Sequence, residues 1–287
     1  MAKDEQLPKF YELMNPLLLA LRDLGGSGSI DEVAGKVTES LNLPDAVLNI
    51  LHDPEKSSQT EIEYRLAWAR TYLKKYGLLD NSERGVWVIV PEKREVDTVD
   101  PLDVVRTVRE IDRKARESKQ AVPESDDDLP EEAQDWRSKL HQVLTKELSP
   151  DAFERLVKRM LRESGFVQVE VTGRSGDGGI DGKGIVRIGG ILSFHVLFQC
   201  KRYQGSVSPS AIRDFRGALV GRADKGLFVT TGTFTREATR EATRDGAPPI
   251  DLMDGDQLAD KLKALALGVR TEMVESVDVD LDWFRSL

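Results

Sequence analysis

The sequence is poor in the residues that build disulfide scaffolds and zinc sites. Its 287 residues include one cysteine, Cys200, and three histidines. A single cysteine excludes an intramolecular disulfide and a CxxC zinc motif, and so few histidines argue against a histidine-based zinc enzyme. No run approaches the roughly 20 apolar residues that cross a bilayer, and the polar start MAKDEQLPKF lacks a signal-peptide core. We therefore expect a soluble protein of a reducing cytoplasm.

The charge of the chain is unevenly distributed. The net charge of −9 taken alone argues against a nucleic-acid partner. However, residues 151–270 carry 19 Lys and Arg against 15 Asp and Glu, whereas residues 1–95, 96–150 and 271–287 are acidic. Because salt screens charges beyond about 10 Å, a ligand responds mainly to the local charge. The segment 151–270 is therefore the candidate for contact with a polyanion.

The length suggests about two domains, and the first begins with three predicted helices. The helices are predicted at 10–24, 31–41 and 61–76. Ser29 and Thr60 are the expected N-caps of the second and third helix. Two short strands then follow around a polar tip, at 78–79 and 86–90. This order is typical of a winged helix-turn-helix domain, which we place at residues 1–95.

The third helix of this domain is the candidate recognition helix. The candidate DNA-contacting side chains are Arg65, Trp68, Arg70, Lys74 and Lys75 on the helix and Arg84 at the wing tip. Such contacts would position the domain on phosphates and read base edges. The alternative is a module for protein interaction or dimerisation, which the acidic charge of residues 1–95 favours.

Two segments lack a clear apolar core: one connects the two domains and the other follows the second domain. Residues 96–135 are predicted to be a charged, partly helical and flexible linker, and residues 271–287 an acidic tail. Residues 136–270 form the second domain, in which strands alternate with helices. Strands are predicted at 167–171, 180–188, 195–200, 226–231 and 250–253, and helices at 136–147, 209–220, 235–245 and 255–267. This order predicts an α/β domain with a mixed sheet in three layers.

Asp181, Gln199 and Lys201 fall at the ends of two neighbouring predicted strands. Mg²⁺ prefers oxygen ligands, which the Asp181 carboxylate, the Gln199 side chain and the Cys200 carbonyl can supply. Strand alternation puts Gln199 and Lys201 on one face, so the Lys201 ammonium would lie beside the metal and stabilise phosphate charge.

Each of these residues also has an ordinary structural interpretation. Gly-rich turns with Asp are common, and a Gln-x-Lys strand end is commoner still. Asp177 is either a second metal ligand or a residue that only shapes the glycine turn, and the turn role is favoured. His195 is more easily explained as a sheet residue than as a metal ligand. Cys200 is more easily explained as a small buried side chain than as a nucleophile.

Residues 151–268 resemble the catalytic domain of the Mrr-type restriction endonucleases, a branch of the PD-(D/E)xK nucleases. The matching stretches are Phe153-Glu154-Arg155-Leu156, Gly173 to Gly182, Phe198-Gln199-Cys200-Lys201, Gly226 to Thr231 and Ile250 to Gly255. Residues 8–90 resemble the winged-helix domain that often precedes this domain. The implied fold is a mixed-sheet, three-layer PD-(D/E)xK nuclease domain preceded by a mainly helical winged helix-turn-helix domain.

The resemblance implies roles for single residues. Asp181 and Lys201 would be catalytic, and Glu154 would match a carboxylate that can join the metal site. Gln199 stands where most of the superfamily has Glu or Asp; this branch commonly has Gln there, which removes one negative charge from the metal site. Arg174 and Arg202 are further candidate DNA contacts.

The implied activity is that of a Mg²⁺-dependent restriction endonuclease, with Mn²⁺ as a substitute ion. Its partner would be double-stranded DNA, with modified (methylated) foreign DNA as the expected target. Cleavage of both strands needs two active sites, so a homodimer or higher homo-oligomer is expected. The alternative is a non-cleaving DNA-binding or regulatory protein with an inactive nuclease fold.

Overall fold

A computed structural model of the protein describes residues 7–83, 85–118, 135–171, 179–189 and 191–272. The acidic tail and most of the acidic stretch before residue 135 lie outside the described residues. In the described part of the chain, none of the helices is both long and apolar enough to cross a membrane.

The N-terminal domain combines five helices with a small antiparallel sheet. The helices are α1 (Met14–Asp23), α2 (Ile30–Leu41), α3 (Asp45–Leu48), α4 (Glu61–Lys75) and α5 (Pro101–Ser118). The strands are β1 (Ser27–Ser29), β2 (Leu79–Glu83) and β3 (Val86–Ile89), in the order β1-β3-β2. β2 and β3 form the expected hairpin of a winged helix, and β1 is an additional strand that the sequence did not predict.

Local hydrogen bonds set the starts of α2 and α4. The side chains of Ser29 and Thr60 each accept a hydrogen bond from the backbone N–H three residues later. The carboxylates of Glu32 and Glu63 in turn accept hydrogen bonds from the backbone N–H groups of these two caps. These capping boxes satisfy helix N–H groups that otherwise lack a partner. Both predicted caps are therefore confirmed.

Helix α5 packs into the N-terminal core, which corrects the predicted linker. Val104, Val105 and Val108 are buried in the same cluster as the leucines of α1 and α4. Tyr76 donates a hydrogen bond to Asp103 (3.1 Å) at the junction between α4 and α5. The first half of the segment 96–135 therefore belongs to the winged-helix core, because its valines recur at helical spacing on one face of α5.

The C-terminal domain is built on a five-stranded sheet in the order β10-β8-β6-β5-β4. The strands are β4 (Phe166–Val171), β5 (Gly182–Ile188), β6 (Leu192–Lys201), β8 (Lys225–Thr230) and β10 (Ile250–Met253). β4, β5 and β6 form an antiparallel meander, and β6, β8 and β10 run parallel. The predicted mixed sheet is confirmed. A separate parallel pair, β7 (Ser206–Val207) and β9 (Thr233–Phe234), was not predicted.

Helices cover both faces of this sheet. They are α6 (Asp135–Gln142), α7 (Pro150–Glu163), α8 (Pro209–Leu219), α9 (Arg236–Ala242) and α10 (Gly255–Ala264). Apolar side chains of α7 and α10 pack with Phe198 and Val229 on one face. Those of α8 and α9 pack with Leu197 and Phe228 on the other. Three layers result, as predicted.

Two helical segments differ from their predicted form. The segment predicted as one helix at 136–147 ends as α6 at Gln142 and continues as a π-helical turn, Val143–Glu147. Helix α9 is also shorter than the predicted helix at 235–245, since it ends at Ala242 before Gly246, which has a φ of 73°. Periodicity alone does not define helix ends to the residue.

The two domains contact each other through polar side chains. The pairs are Asp45 with Arg236 and Arg240, Glu55 with Lys146, and Asp31 with Gln257. A cavity of about 600 Å³ lies at this contact. Gly255, at the start of α10, is so close to Ser58 that a Cβ there would lie 2.7 Å from the serine oxygen. The N-terminal domain therefore meets the edge of the sheet where the parallel strands end.

Candidate active site

The carboxylate of Asp181 is fixed to the backbone of β6. The Asp181 N–H donates to the carbonyl of Phe198 (3.0 Å), and its Oδ2 accepts a hydrogen bond from the Cys200 N–H (2.5 Å). The neighbouring Ile180 is 3% exposed and anchors the same segment in the core. Asp181 thus precedes β5 directly and lies beside the end of β6, as its position in the sequence predicts.

The side chain of Gln199 lies against the glycine turn that leads to Asp181. A Cβ built on Gly179 would be 2.6 Å from Gln199 Nε2, so a side chain there would require the amide to move. Gly179 also has a φ of 80°, a backbone conformation that favours glycine. The turn and the amide are therefore packed together, which brings Gln199 to the segment of Asp181.

Lys201 is the last residue of β6, and its side chain is exposed. Because side chains alternate along a strand, Leu197, Gln199 and Lys201 share the face that α8 and α9 cover. The Lys201 ammonium lies 5.4 Å from the ring centre of Tyr203, within cation–π range. Lys201 and Gln199 therefore project from one strand end on the same side of the sheet.

Two threonines of the neighbouring strand hold this strand end in place. The Thr230 hydroxyl donates to the Lys201 carbonyl (2.8 Å), and Thr231 Oγ1 accepts a bond from the Tyr203 N–H (2.8 Å). Both threonines are fully buried. Sequence reasoning missed these threonines and Tyr203. The sequence signal for them was a pair of hydroxyl residues at the end of a buried strand, where backbone N–H and C=O groups need hydrogen-bond partners.

Cys200 points to the opposite face, where it packs against the cluster of α7 and α10. Burial raises the pKa of the Cys200 thiol well above its usual value, and the charges of Asp181 and Glu154 raise it further. The thiol stays protonated at neutral pH, so a nucleophilic role has no support.

The donor set at this strand end is made of oxygen atoms. Among the residues that the structure describes, no group of three or more His, Cys, Asp or Glu is arranged to hold a metal. The predicted ligands are instead the carboxylate of Asp181, the amide oxygen of Gln199 and the carbonyl of Cys200, with the Glu154 carboxylate of α7 as a fourth candidate. Such a set fits a hard divalent cation that keeps several waters, as Mg²⁺ does. Asp177 and Arg174 lie outside the described residues.

Arg202 follows β6 directly, but its guanidinium is directed into the protein. Its guanidinium donates to the carbonyls of Thr145 (3.0 Å) and Leu148 (2.7 Å). These carbonyls precede Ser149, the N-cap of α7. The expected DNA contact is therefore corrected, because Arg202 ties the end of β6 to the helix that carries Glu154.

Two arginines of the predicted recognition helix are also buried. Arg65 is 6% exposed and donates to Glu61 (2.8 Å) and to the carbonyls of Leu7 (2.9 Å) and Pro8 (3.0 Å). Arg70 is 1% exposed, with its guanidinium carbon 5.6 Å from the ring centre of Trp87. Both side chains are part of the domain packing, so we withdraw them from the predicted DNA interface.

The remaining candidates on α4 lie closer to the surface. Lys74 is exposed and pairs with Asp80 (3.3 Å) and Asn81 (2.8 Å) at the base of the wing. Trp68 is half-buried, with ring centres of Tyr64 and Tyr72 within 6.4 Å. Lys75 is half-buried and paired with Asp112 (2.8 Å). Arg84 lies outside the described residues.

Both domains match known family models. Residues 145–262 match the model described as restriction endonuclease, and residues 10–98 match the Mrr N-terminal domain. A curated relative, the type IV methyl-directed restriction enzyme EcoKMrr of Escherichia coli K12, is 25% identical over 318 residues. The match covers 97% of this chain and 99% of the relative.

Solved restriction endonucleases show a more distant likeness. The structure of MspJI with a 27-mer oligonucleotide is 25% identical, with a TM-score of 0.39 over 62% of this chain and 48% of that chain. The DNA modification-dependent restriction endonuclease AspBHI is 22% identical, with a TM-score of 0.41 over 68% of this chain and 56% of that chain. The chain thus spans about half the length of each of these two proteins.

Proposed function

Since the chain carries both domains of the Mrr-type restriction endonucleases and belongs to that family, we propose that it cuts modified double-stranded DNA in a Mg²⁺-dependent reaction. The observation that supports this proposal most directly is that Asp181 accepts a hydrogen bond from the Cys200 N–H of β6, the strand that also carries Gln199 and ends at Lys201. The methyl-directed activity named for the Escherichia coli relative supports methylated DNA as the target.

Each side chain has a separate task in this proposal. Asp181, Gln199 and Glu154 would hold the cation, together with the Cys200 carbonyl. A bound Mg²⁺ would supply Lewis-acid polarisation of the phosphate and a lowered pKa of a coordinated water. The Lys201 ammonium orients the attacking water and stabilises the negative charge that develops on the phosphate oxygens. Tyr203 and Thr230 restrict the positions that the Lys201 side chain and backbone adopt.

DNA contact in this proposal combines the winged helix with the catalytic domain. Trp68, Lys74 and the wing residue Arg84 remain candidate contacts of the N-terminal domain, and Arg174 of the glycine turn remains one in the catalytic domain. Because each chain has one such site and a duplex has two strands, a homodimer or higher homo-oligomer cuts both strands. We place the reaction in the cytoplasm, where a cell meets foreign DNA.

The test is cleavage of methylated and unmethylated plasmid with and without Mg²⁺. Asp181→Ala and Lys201→Ala should each lower the cleavage rate by about 10²-fold or more, since each removes a charged group from the reaction centre. Lys183→Ala is the matched control: Lys183 is exposed on β5 and pairs with Glu170 (3.1 Å), so its loss should leave cleavage unchanged. Equal activity in wild type, Asp181→Ala and Lys201→Ala would overturn the assignment.

A non-cleaving DNA-binding protein would give a different result. It would bind duplex DNA with the usual salt dependence but would nick neither plasmid with Mg²⁺ or Mn²⁺. Such a result would be explained by the neutral Gln199 side chain, which supplies no negative charge to the metal site. Restoring it with Gln199→Glu should then increase metal affinity.

A further inference from the structure

Helices α8 and α9 and the turn after α9 display an arginine cluster, which we define as Arg213, Arg236, Arg240 and Arg244. The side chains of Arg213, Arg240 and Arg244 are 54%, 64% and 57% exposed, and Arg236 is 31% exposed. Several acidic residues are interspersed with these arginines in the sequence. In the described part of the chain, however, the ion-pair partners of the cluster are two carboxylates, Glu241 and Asp45.

Glu241 balances only part of the positive charge. Its carboxylate lies 4.0 Å from Arg213 and 3.7 Å from Arg244, and it also faces the buried Arg216 at 3.5 Å. One carboxylate therefore serves three guanidinium groups, so their direct ion pairs do not match them one to one. The surface therefore favours an additional anion.

The second carboxylate comes from the other domain. Asp45 begins α3, and its two oxygens each meet one arginine: Oδ1 lies 3.3 Å from Arg236 and Oδ2 lies 3.1 Å from Arg240. The Arg236 N–H also donates to the Asn49 side chain (3.4 Å). A DNA phosphate offers the same chemistry, a single negative charge with two free oxygens that guanidinium groups bind well. A phosphate group would satisfy the same two guanidinium groups that Asp45 satisfies here.

The arginine cluster is on the catalytic side of the sheet. Ala238 and Ala242 of α9 are buried in the same apolar cluster as Leu197. Strand alternation directs Gln199 and Lys201 to this face as well. The arginine cluster and the predicted catalytic side chains therefore lie on the same side of the sheet.

We propose that the arginine cluster is a binding surface for the DNA backbone, and that Asp45 covers part of it when the domains are docked as in this structure. This inference rests on the proposed function, since it assumes duplex DNA as the ligand. DNA phosphates and Asp45 compete for Arg236 and Arg240, so binding of the duplex loosens the contact between the domains. The contact restrains DNA binding until a duplex displaces it.

The first test is the affinity of the full chain for a labelled duplex, measured by fluorescence anisotropy without divalent metal. Asp45→Asn should bind roughly two- to tenfold more tightly than wild type, the range expected for two partly exposed ion pairs. Asp23→Asn, an exposed carboxylate on α1, makes the same change in net charge and should have little effect.

The second test removes the arginines. Arg236→Gln with Arg240→Gln should weaken binding and lower the slope of log affinity against log salt by about 2, because two phosphate contacts are lost. The exposed pair Arg155→Gln with Arg159→Gln on α7, on the other face of the sheet, is the control for charge. In the background without Arg236 and Arg240, Asp45→Asn should no longer change affinity. Thermal unfolding of each variant reports whether it is folded.

Three results would overturn the inference. The first is a DNA affinity of the Arg236 and Arg240 double variant equal to that of the α7 control. The second is an Asp45→Asn protein that binds the duplex no more tightly than Asp23→Asn. The third is the absence of duplex binding in both wild type and Asp45→Asn. Failure of the proposed function is a separate result, since it concerns cleavage. A protein that binds through the cluster but keeps its cleavage in Asp181→Ala and Lys201→Ala would overturn the catalytic assignment alone.

Discussion

Gly179 lies so close to the Gln199 amide that a Cβ there would require the amide to move. Gly179→Ala should therefore displace Gln199 and lower the cleavage rate by about tenfold or more, because a shift of about 1 Å at a catalytic group is enough for such a loss. The positive φ adds about 1–2 kcal/mol of strain to the folded state. Plasmid cleavage and urea unfolding measure the two effects.

A second glycine, Gly189, is a control that separates the effect of backbone strain from the effect of a contact with a neighbouring side chain. Gly189 also has a positive φ, 60°, but a Cβ there meets nothing within 4 Å. Gly189→Ala should thus lose a similar amount of stability and keep its cleavage activity. If both variants cut DNA equally well, the contact between Gly179 and Gln199 has no part in catalysis.

The residues of the site differ in how far the sequence predicts them. Asp181, Gln199 and Lys201 were predictable because strand ends and alternation follow from local pattern. The burial of Arg65 and Arg70 was not, because the carbonyls and the Trp87 ring that receive them come from other segments of the chain. A charged residue on a helix is assigned to the surface by default, and only tertiary contacts reverse that assignment.

The position of helix α7 depends on a contact with Arg202, a residue outside the helix. Arg202 joins the end of β6 to the turn before α7, through the carbonyls of Thr145 and Leu148. Arg202→Gln should destabilise the protein by about 2 kcal/mol, the usual range for hydrogen bonds of a charged donor. It should also raise the Mg²⁺ concentration needed for half-maximal cleavage, because Glu154 loses its fixed position.

Urea unfolding and a Mg²⁺ titration of the cleavage rate measure these effects. The control is Arg155→Gln, which removes an exposed arginine from α7 itself and should change neither. A Mg²⁺ dependence in Arg202→Gln equal to that of wild type would show that the contact is only structural.

The elements with local signals were predicted best. Helices α2 and α4 begin at their capping residues, since a cap involves only four consecutive residues. The short strands β1, β7 and β9 were missed because they have two or three residues each, too few for a periodic pattern. Their pairing depends on partners far away in the sequence, such as β1 with β3.

At the scale of the whole molecule, the N-terminal domain extends beyond the winged helix. Val104, Val105 and Val108 are buried in its core, although their helix has a charged outer face that resembles a linker. Burial of a valine contributes roughly 1.5–3 kcal/mol, and a small domain has about 5–15 kcal/mol in total.

A fragment that ends at residue 95 should therefore be largely unfolded, whereas one that ends at residue 118 should fold. Circular dichroism with urea titration compares the two fragments. Equal unfolding midpoints would show that α5 packs on the domain without stabilising it.

The contact between domains also predicts a dependence of stability on pH. Burial raises the pKa of Asp254 well above its usual 3.8, and the nearby charges of Asp256, Glu63 and Asp31 raise it further, although a backbone bond from Gln257 opposes this. The folded protein then holds a proton that the unfolded chain has lost, so stability decreases as the pH rises from about 4 towards the raised pKa.

Asp254→Asn should remove this pH-dependent loss of stability. It should also keep the N-cap of α10, because Asn and Asp cap helices about equally well. We expect its unfolding temperature to exceed that of wild type by a few degrees at pH 7.5, with the difference disappearing near pH 4, where the wild-type carboxyl is protonated. Asp151→Asn, in the exposed first turn of α7, should have the opposite sign at pH 7.5, because it removes a charge that the helix N-terminus stabilises. Thermal unfolding of all three proteins across this pH range measures the effect. A lower unfolding temperature of Asp254→Asn at pH 7.5 would show that the Asp254 charge stabilises the contact between the domains.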